Sequence, residues 1–287
     1  PLLMFRPGLP ASKAALLGAA FLFGLSGCAA LGRGEDLSAA LAHAQQQGFA
    51  AGSIEAGGFR LATFARRSSG AGERLAVYIE GDGAAWPTPY HPPRDPTPRR
   101  PVALSLALVD PAPSVVYLGR PCQYLAAAAL QQCDSAYWVE RRFAPEVVAA
   151  YDAALDELKR RHGVRRLRLV GYSGGGVLAA LLAARRTDVE VLVTVAAPLA
   201  LGEWTAWHGA SPLLGSLDPA VSEKPASGVR SVHFAGGRDT TVPVRIVERY
   251  VRDSGGVLDV VPDFDHECCW ARDWRVLLGR ASVKDAE

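Results

Sequence analysis

Charge imbalance is almost absent from this sequence. Its 31 Lys and Arg against 29 Asp and Glu leave a formal +2 over 287 residues. That falls far short of the basic excess that phosphate binding needs, so nucleic acid is not expected as a partner. A membrane-spanning run is missing too: the apolar stretch Ala14 to Leu25 has about twelve residues, against the roughly 20 that cross a bilayer. None of the five cysteines stands in a C-x-x-C spacing, which removes the usual sequence sign of a zinc site. No internal repeat of about 20 to 50 residues is visible, which excludes solenoids and propellers. What is present, 49% hydrophobic and 21% charged residues, is the composition of a well-packed globular chain.

The N-terminus reads as a targeting segment, with Met4 as the expected start. Arg6 and Lys13 precede the short apolar run, which ends in Leu25-Ser26-Gly27-Cys28. A positive region, an apolar region and small residues before a cut site make a secretory signal, and this one resembles a bacterial lipobox. The resemblance implies cleavage after residue 27 and lipidation of Cys28. Ala29 follows the cysteine where inner-membrane lipoproteins often carry Asp, so the expected place is the outer membrane, facing the periplasm. Removing the segment takes away two basic residues and no acid, so the charge of +2 falls to zero and the membrane is expected to be engaged through acyl chains rather than a basic patch. The expected organisation is residues 1–27 as signal, 28–50 as lipidated N-terminus, tether (Gly32 to Gly34) and leader helix, and 51–287 as one domain.

Beyond the leader, strands and helices alternate. Short β-branched runs at Leu75 to Ile79, Ser114 to Leu118, Leu167 to Val170, Val189 to Val195, Val229 to Ala235 and Val257 to Val261 suit buried strands. Between them, Phe143, Val147, Tyr151, Leu155 and Leu158 recur at helical spacing up to the stop His162-Gly163, and Val177 to Arg186, Val244 to Arg252 and Cys269 to Leu278 read as helices. The expectation is an α/β fold: a mostly parallel central sheet of about seven or eight strands with helices on both faces. Phe59 to Ala65 and Leu75 to Ile79 are expected to form an antiparallel hairpin at one edge. Seven prolines between Trp86 and Pro101 forbid a regular element there and read as a rigid loop on the rim.

The chemistry concentrates at three strand ends. Leu167 to Val170 runs into Gly171-Tyr172-Ser173-Gly174-Gly175 and a helix follows, a G-x-S-x-G pattern in the strand, turn, helix context that lifts a serine clear of a sheet. A serine needs a base and the base needs an acid. Of six histidines, His43 lies in the leader, His91 in the proline loop, His162 at a helix end, and His208 too close after the nucleophile to leave room for an acid strand. His233 falls inside an apolar strand and reads as core. His266, after the last strand in Asp263-Phe264-Asp265-His266-Glu267, sits at the carboxyl edge where a parallel sheet places its ligands. Asp239, just past the strand ending Phe234-Ala235-Gly236, is the expected acid, with an N-cap before the helix after Pro243 as its competing role and Asp218, Asp263 and Asp265 as fallbacks. For the oxyanion, the expected donors are the backbone N–H of Gly174 and one from Glu80-Gly81-Asp82-Gly83, either Asp82 or Gly83. Alternate carboxylates in that turn also suggest a cation loop, but one with too few ligands for calcium.

Taken together, Phe59 to Leu278 resembles the α/β-hydrolase superfamily, with its nucleophile, acid and histidine matched at Ser173, Asp239 and His266. The turn after Ile79 is similar to the oxyanion turn of lipases and esterases, with Glu80 where that family commonly has His. The resemblance implies hydrolysis of a carboxylic ester or thioester, small or lipid-like, through an acyl-enzyme and without a cofactor. The alternatives are a peptidase or amidase on the same triad, which should carry an added subsite domain, and a non-catalytic envelope lipoprotein that keeps the scaffold. Oligomeric state is not legible.

The other cysteines number four, an even count suited to an oxidising compartment. Cys122 and Cys133 are expected to pair, with a bond from Cys122 to one of the late cysteines as the alternative, while Cys268 and Cys269 are expected either to bridge each other or to stay reduced. Trp204, Trp207, Leu213 and Leu214 in the stretch Pro198 to Lys224 either line an acyl pocket or pack that loop down. The cluster Arg160, Arg161, Arg165, Arg166 and Arg168 reads as a solvated face at the opposite end of the sheet, with anionic lipid as a possible contact to test.

Overall fold

Strands that are apolar at every position need cover on both faces, and the chain supplies it with two helical layers. The computed structural model describes residues 37–67, 74–84 and 91–283, all within the unit Gly34–Glu287. The expected signal, Cys28 and the tether at 32–34 lie outside the described residues, as do 68–73, the start of the proline-rich segment at 85–90, and 284–287.

The elements in chain order are α1 (Leu37–Gln46), β1 (Ala50–Ala56), β2 (Phe59–Arg67), β3 (Arg74–Ile79), α2 (Val102–Val109), β4 (Ser114–Leu118), α3 (Ala127–Leu130), α4 (Pro145–His162), β5 (Arg166–Tyr172), α5 (Gly174–Arg185), β6 (Val189–Val195), α6 (Leu201–Trp207), β7 (Arg230–Gly236), α7 (Val244–Ser254), β8 (Val257–Val261) and α8 (Trp270–Val283). The strands form one eight-stranded sheet in the order β1-β2-β4-β3-β5-β6-β7-β8. From β4 through β8 every neighbouring pair is parallel, whereas β1 with β2 and β2 with β4 are antiparallel.

Alternation along β3 shows how the layers divide. Leu75, Val77 and Ile79 face a core that includes Val147, Tyr151 and Leu155 of α4, Leu178 and Leu182 of α5, and Ile246 and Tyr250 of α7. Ala76 and Tyr78 face the opposite core with Ala44 of α1, Leu104 and Ala107 of α2, and Trp270, Trp274 and Leu277 of α8. At about 1.5–3 kcal/mol for each large buried side chain, these two cores supply the main folding force. Both converge on the strands that end at the site.

The expected hairpin between Phe59 to Ala65 and Leu75 to Ile79 does not form. β2 pairs instead with β1 on one side, Ile54 opposite Leu61, and with β4 on the other, Thr63 opposite Leu118. β1 escaped the sequence reading because AAGSIEA carries one β-branched apolar residue and four of its positions are exposed at the start; the sheet edge tolerates this poor strand former because only Ile54 must be buried. Among the described residues no helix is long and apolar enough to cross a membrane.

Candidate active site

The turn at Ser173 is dictated by backbone crowding. β5 ends at Tyr172, α5 starts at Gly174, and Ser173 between them adopts φ 48° and ψ −123°, a conformation held against its intrinsic cost. Its N–H donates to the carbonyl of Val195 at 2.8 Å, which fixes the turn on β6. A Cβ at position 175 would lie 2.1 Å from the carbonyl oxygen of Ile79, so only glycine lets α5 approach β3 this closely.

Three chain segments then bring their side chains into line. Ser173 Oγ lies 3.1 Å from His266 Nε2, and His266 Nδ1 lies 2.8 Å from Asp239 Oδ2. The Asp239 side chain is fully buried and the His266 side chain 18% exposed. The other Asp239 oxygen, Oδ1, accepts from the N–H groups of Thr241 and Val242 at 2.8 and 2.7 Å. That turn precedes α7 rather than capping it, so the carboxylate is oriented by the backbone and free to meet the imidazole. The two loops are tied directly, with Gly237 N–H to the carbonyl of Val261 and Arg238 N–H to that of Phe264, both at 2.9 Å. The carbonyl of His266 accepts from Tyr172 Oη at 3.1 Å and Trp270 Nε1 at 3.0 Å, which fixes the ring's backbone from β5 and from α8.

The turn after β3 faces the same point. Gly81 N–H donates to Glu80 Oε1 at 2.9 Å and Ala84 N–H to the carbonyl of Pro96 at 3.1 Å, leaving the N–H groups of Asp82 and Gly83 between them. Glu80 is 1% exposed, and burial pushes its carboxyl up to about 7 against the opposing pull of the Gly81 and Ala103 N–H groups. Neither acid of this turn is open to a cation, because Asp82 is held by Arg120 (2.9 Å) and Arg142 (2.6 Å).

These arginines, and Gln123 beside them, were not found from the sequence. Gln123 accepts from Arg120 N–H at 2.9 Å and donates to the carbonyls of Gly81 at 3.2 Å and Pro96 at 3.3 Å. The available signal was position: Arg120 and Gln123 follow β4 at the carboxyl edge of the sheet, the side on which Ser173, Asp239 and His266 lie.

The remaining candidates fall elsewhere. Asp218 bonds the Gly202 N–H at 3.0 Å, Asp263 pairs with Arg238 at 2.6 Å, and Asp265 accepts from Glu267 and Cys268 N–H in its own turn. His233 is buried on β7 with Nδ1 bonded to Thr194 Oγ1 at 2.9 Å, and His208 bonds the carbonyl of Thr241 at 2.8 Å. Cys122 is bonded to Cys133 and Cys268 to Cys269. Trp204 and Leu213 pack on the core, Trp207 lies under the Arg245 guanidinium at 3.8 Å, and Leu214 is exposed. The arginine cluster is not wholly a solvated face: Arg168 pairs with Asp110, a fully buried carboxylate that also accepts from Tyr78 Oη at 2.5 Å.

No protein-family model matches the chain, and no curated protein matches its sequence. Solved structures do. An α/β serine hydrolase without a lid from Xanthomonas campestris is 16% identical with a TM-score of 0.56, over 82% of this chain and 94% of its own. An esterase from Pyrococcus furiosus is 14% identical with a TM-score of 0.55, over 84% and 94%. A bacterial membrane phospholipase A, described as a virulence factor, is 18% identical with a TM-score of 0.55, over 86% and 91%. With these likenesses and its eight-stranded, mostly parallel sheet between two helical layers, the chain has the α/β-hydrolase fold.

Proposed function

We propose that the protein is a serine hydrolase of carboxylic esters that works through an acyl-enzyme. The observation that carries the reading is the continuous relay Ser173 Oγ, His266 Nε2 and Nδ1, Asp239 Oδ2, at 3.1 and 2.8 Å. In this reading Ser173 Oγ attacks the ester carbonyl while His266 takes its proton, and Asp239 holds the ring and stabilises the imidazolium. The carbonyl oxygen, now anionic, is received by the N–H of Gly174, at the positive end of α5, and by that of Asp82 or Gly83. His266 returns the proton to the leaving alcohol, the acyl group stays on Ser173, and a water activated by the same imidazole releases the acid.

Esters rather than amides are favoured by the company of similar folds, among them an esterase and a membrane phospholipase A; thioesters belong to the same chemistry. The stretch 198–224 folds as the short helix α6 and turns, with Trp204 Nε1 bonded to the carbonyl of Thr241 at 2.8 Å, which suits a modest, open site. Export with a lipid anchor at Cys28, on the periplasmic side of the outer membrane, completes the proposal. The Cys122–Cys133 bond supports an oxidising compartment. A p-nitrophenyl ester series from acetate to palmitate tests the activity: a burst of one p-nitrophenolate per enzyme is expected, and no turnover of any chain length by folded protein would overturn it.

A further inference from the structure

Two guanidiniums share one carboxylate beside the nucleophile turn. The side chains of Arg120 and Arg142 are 4% and 9% exposed, and both pair with Asp82, through Oδ1 and Oδ2 respectively. Burying a cation costs several kcal/mol unless it is paired and hydrogen-bonded. Here Arg120 Nη2 also donates to the carbonyl of Arg142 at 2.7 Å and its guanidinium lies 5.0 Å from the Phe143 ring, while Arg142 Nε donates to the carbonyl of Val139. Burial alone would raise the Asp82 carboxyl, but the Arg142 and Arg120 charges overcome it and hold the group below the usual carboxylate range. Asp82 is therefore ionised and gripped at both oxygens.

The grip has an address. A Cβ built on Gly174 would lie 2.0 Å from Asp82 Oδ1 and 2.9 Å from Arg120 Nη1, so the carboxylate and guanidinium pack directly on the residue after Ser173. One side of the clamp comes from the segment after β4, closed by the Cys122–Cys133 bond, and the other from the turn before α4. Gln123 adds a hold on the Gly81 carbonyl at 3.2 Å. The turn after β3 is thus fixed from two directions, by Arg120 and Gln123 on one side and Arg142 on the other.

We propose that Arg120 and Arg142 are positioning residues that act through the Asp82 carboxylate to hold the Asp82-Gly83 N–H groups in register with Gly174 N–H. The inference rests on the serine-hydrolase reading. A rigid donor matters because its hydrogen bond counts only if it is aimed before charge develops, and a misplacement of about 1 Å costs up to about 100-fold.

The test uses the full chain with Asp82→Asn, Arg142→Gln, the double variant and Arg142→Lys, measured for kcat and KM on p-nitrophenyl acetate, for thermal midpoint, and for fluorophosphonate labelling. Each of Asp82→Asn and Arg142→Gln is expected to lower kcat by roughly 10- to 100-fold with KM changed by less than about threefold. The double variant should be no worse than Asp82→Asn alone, since the arginine acts through the carboxylate, and Arg142→Lys should recover part of kcat. Unchanged kcat in the folded variants, or losses that multiply in the double variant, would overturn the proposal. If Asp82→Asn does not fold, Arg142→Gln against Arg142→Lys decides on the same criterion. Labelled wild-type protein keeps the serine reading intact whatever the variants do; unlabelled wild type overturns that reading and this proposal with it.

Discussion

Replacing Glu80 by Gln should make stability depend on pH in a way that the wild-type chain conceals. Glu80 is buried beside the turn after β3, with Oε1 taking the Gly81 and Ala103 N–H groups at 2.9 and 3.4 Å. Tyr117 and Tyr124, whose hydroxyls bond each other at 2.7 Å, share its surroundings. Its carboxyl is raised from 4.5 to about 7 by burial. The folded state thus binds the proton more tightly than the unfolded chain, so stability falls as pH rises from about 4.5 and levels off above about 7, a loss of about 3 kcal/mol.

His233 works in the opposite direction. Burial lowers its imidazole from 6.5 to about 4, so the folded state resists a proton that the unfolded chain accepts, and stability falls as pH drops from about 6.5 to about 4, again by about 3 kcal/mol. Between pH 4.5 and 6.5 the two slopes nearly cancel. Urea unfolding of the oxidised protein at intervals from pH 4.5 to 8 measures the balance. Glu80→Gln should exceed wild type by up to about 3 kcal/mol at pH 8, match it near pH 4.5, and itself lose about 1.4 kcal/mol per pH unit as pH falls below 6.5. A difference between the two proteins that does not vary with pH would refute the reasoning.

Three further outcomes are expected. Asp239→Asn should keep the fold and lower kcat by roughly 10³- to 10⁴-fold with little change in KM, because the amide presents the wrong hydrogen-bonding pattern to His266 Nδ1; steady-state kinetics with a circular dichroism control checks this. Gly175→Ala, whose methyl would meet the Ile79 carbonyl at 2.1 Å, should force α5 away from β3 and cost several-fold in activity as well as about 1–3 kcal/mol in urea unfolding. Cys122→Ser with Cys133→Ser opens a loop between cysteines 11 apart in sequence and should lower stability by up to about 3 kcal/mol, lost equally on reducing the wild-type bond.

The parallel core was legible because its strands carry their own evidence. Leu75 to Ile79 and Val189 to Val195 are apolar at consecutive positions, and the helix stop at His162-Gly163 lies where α4 ends. The meeting of Ser173, Asp239 and His266 was legible because chain order and the carboxyl edge of a parallel sheet leave few candidates. Strand pairing at the antiparallel edge was not, since β1 is nearly featureless and nothing local tells β2 to choose β4 over β3. The clamp on Asp82 was hidden for a related reason: its arginines lie 38 and 60 residues away, and no spacing rule links a carboxylate to a distant guanidinium. Arg168 looked solvated because the buried Asp110 that holds it belongs to another element.

The most direct measurement is intact-mass detection of a fluorophosphonate probe on the purified protein, with Ser173→Ala and His266→Ala beside it. The account predicts one adduct on the wild type, mapped to Ser173, and none on either variant. Folded wild-type protein that takes up no probe, or an adduct that persists in Ser173→Ala, would contradict it.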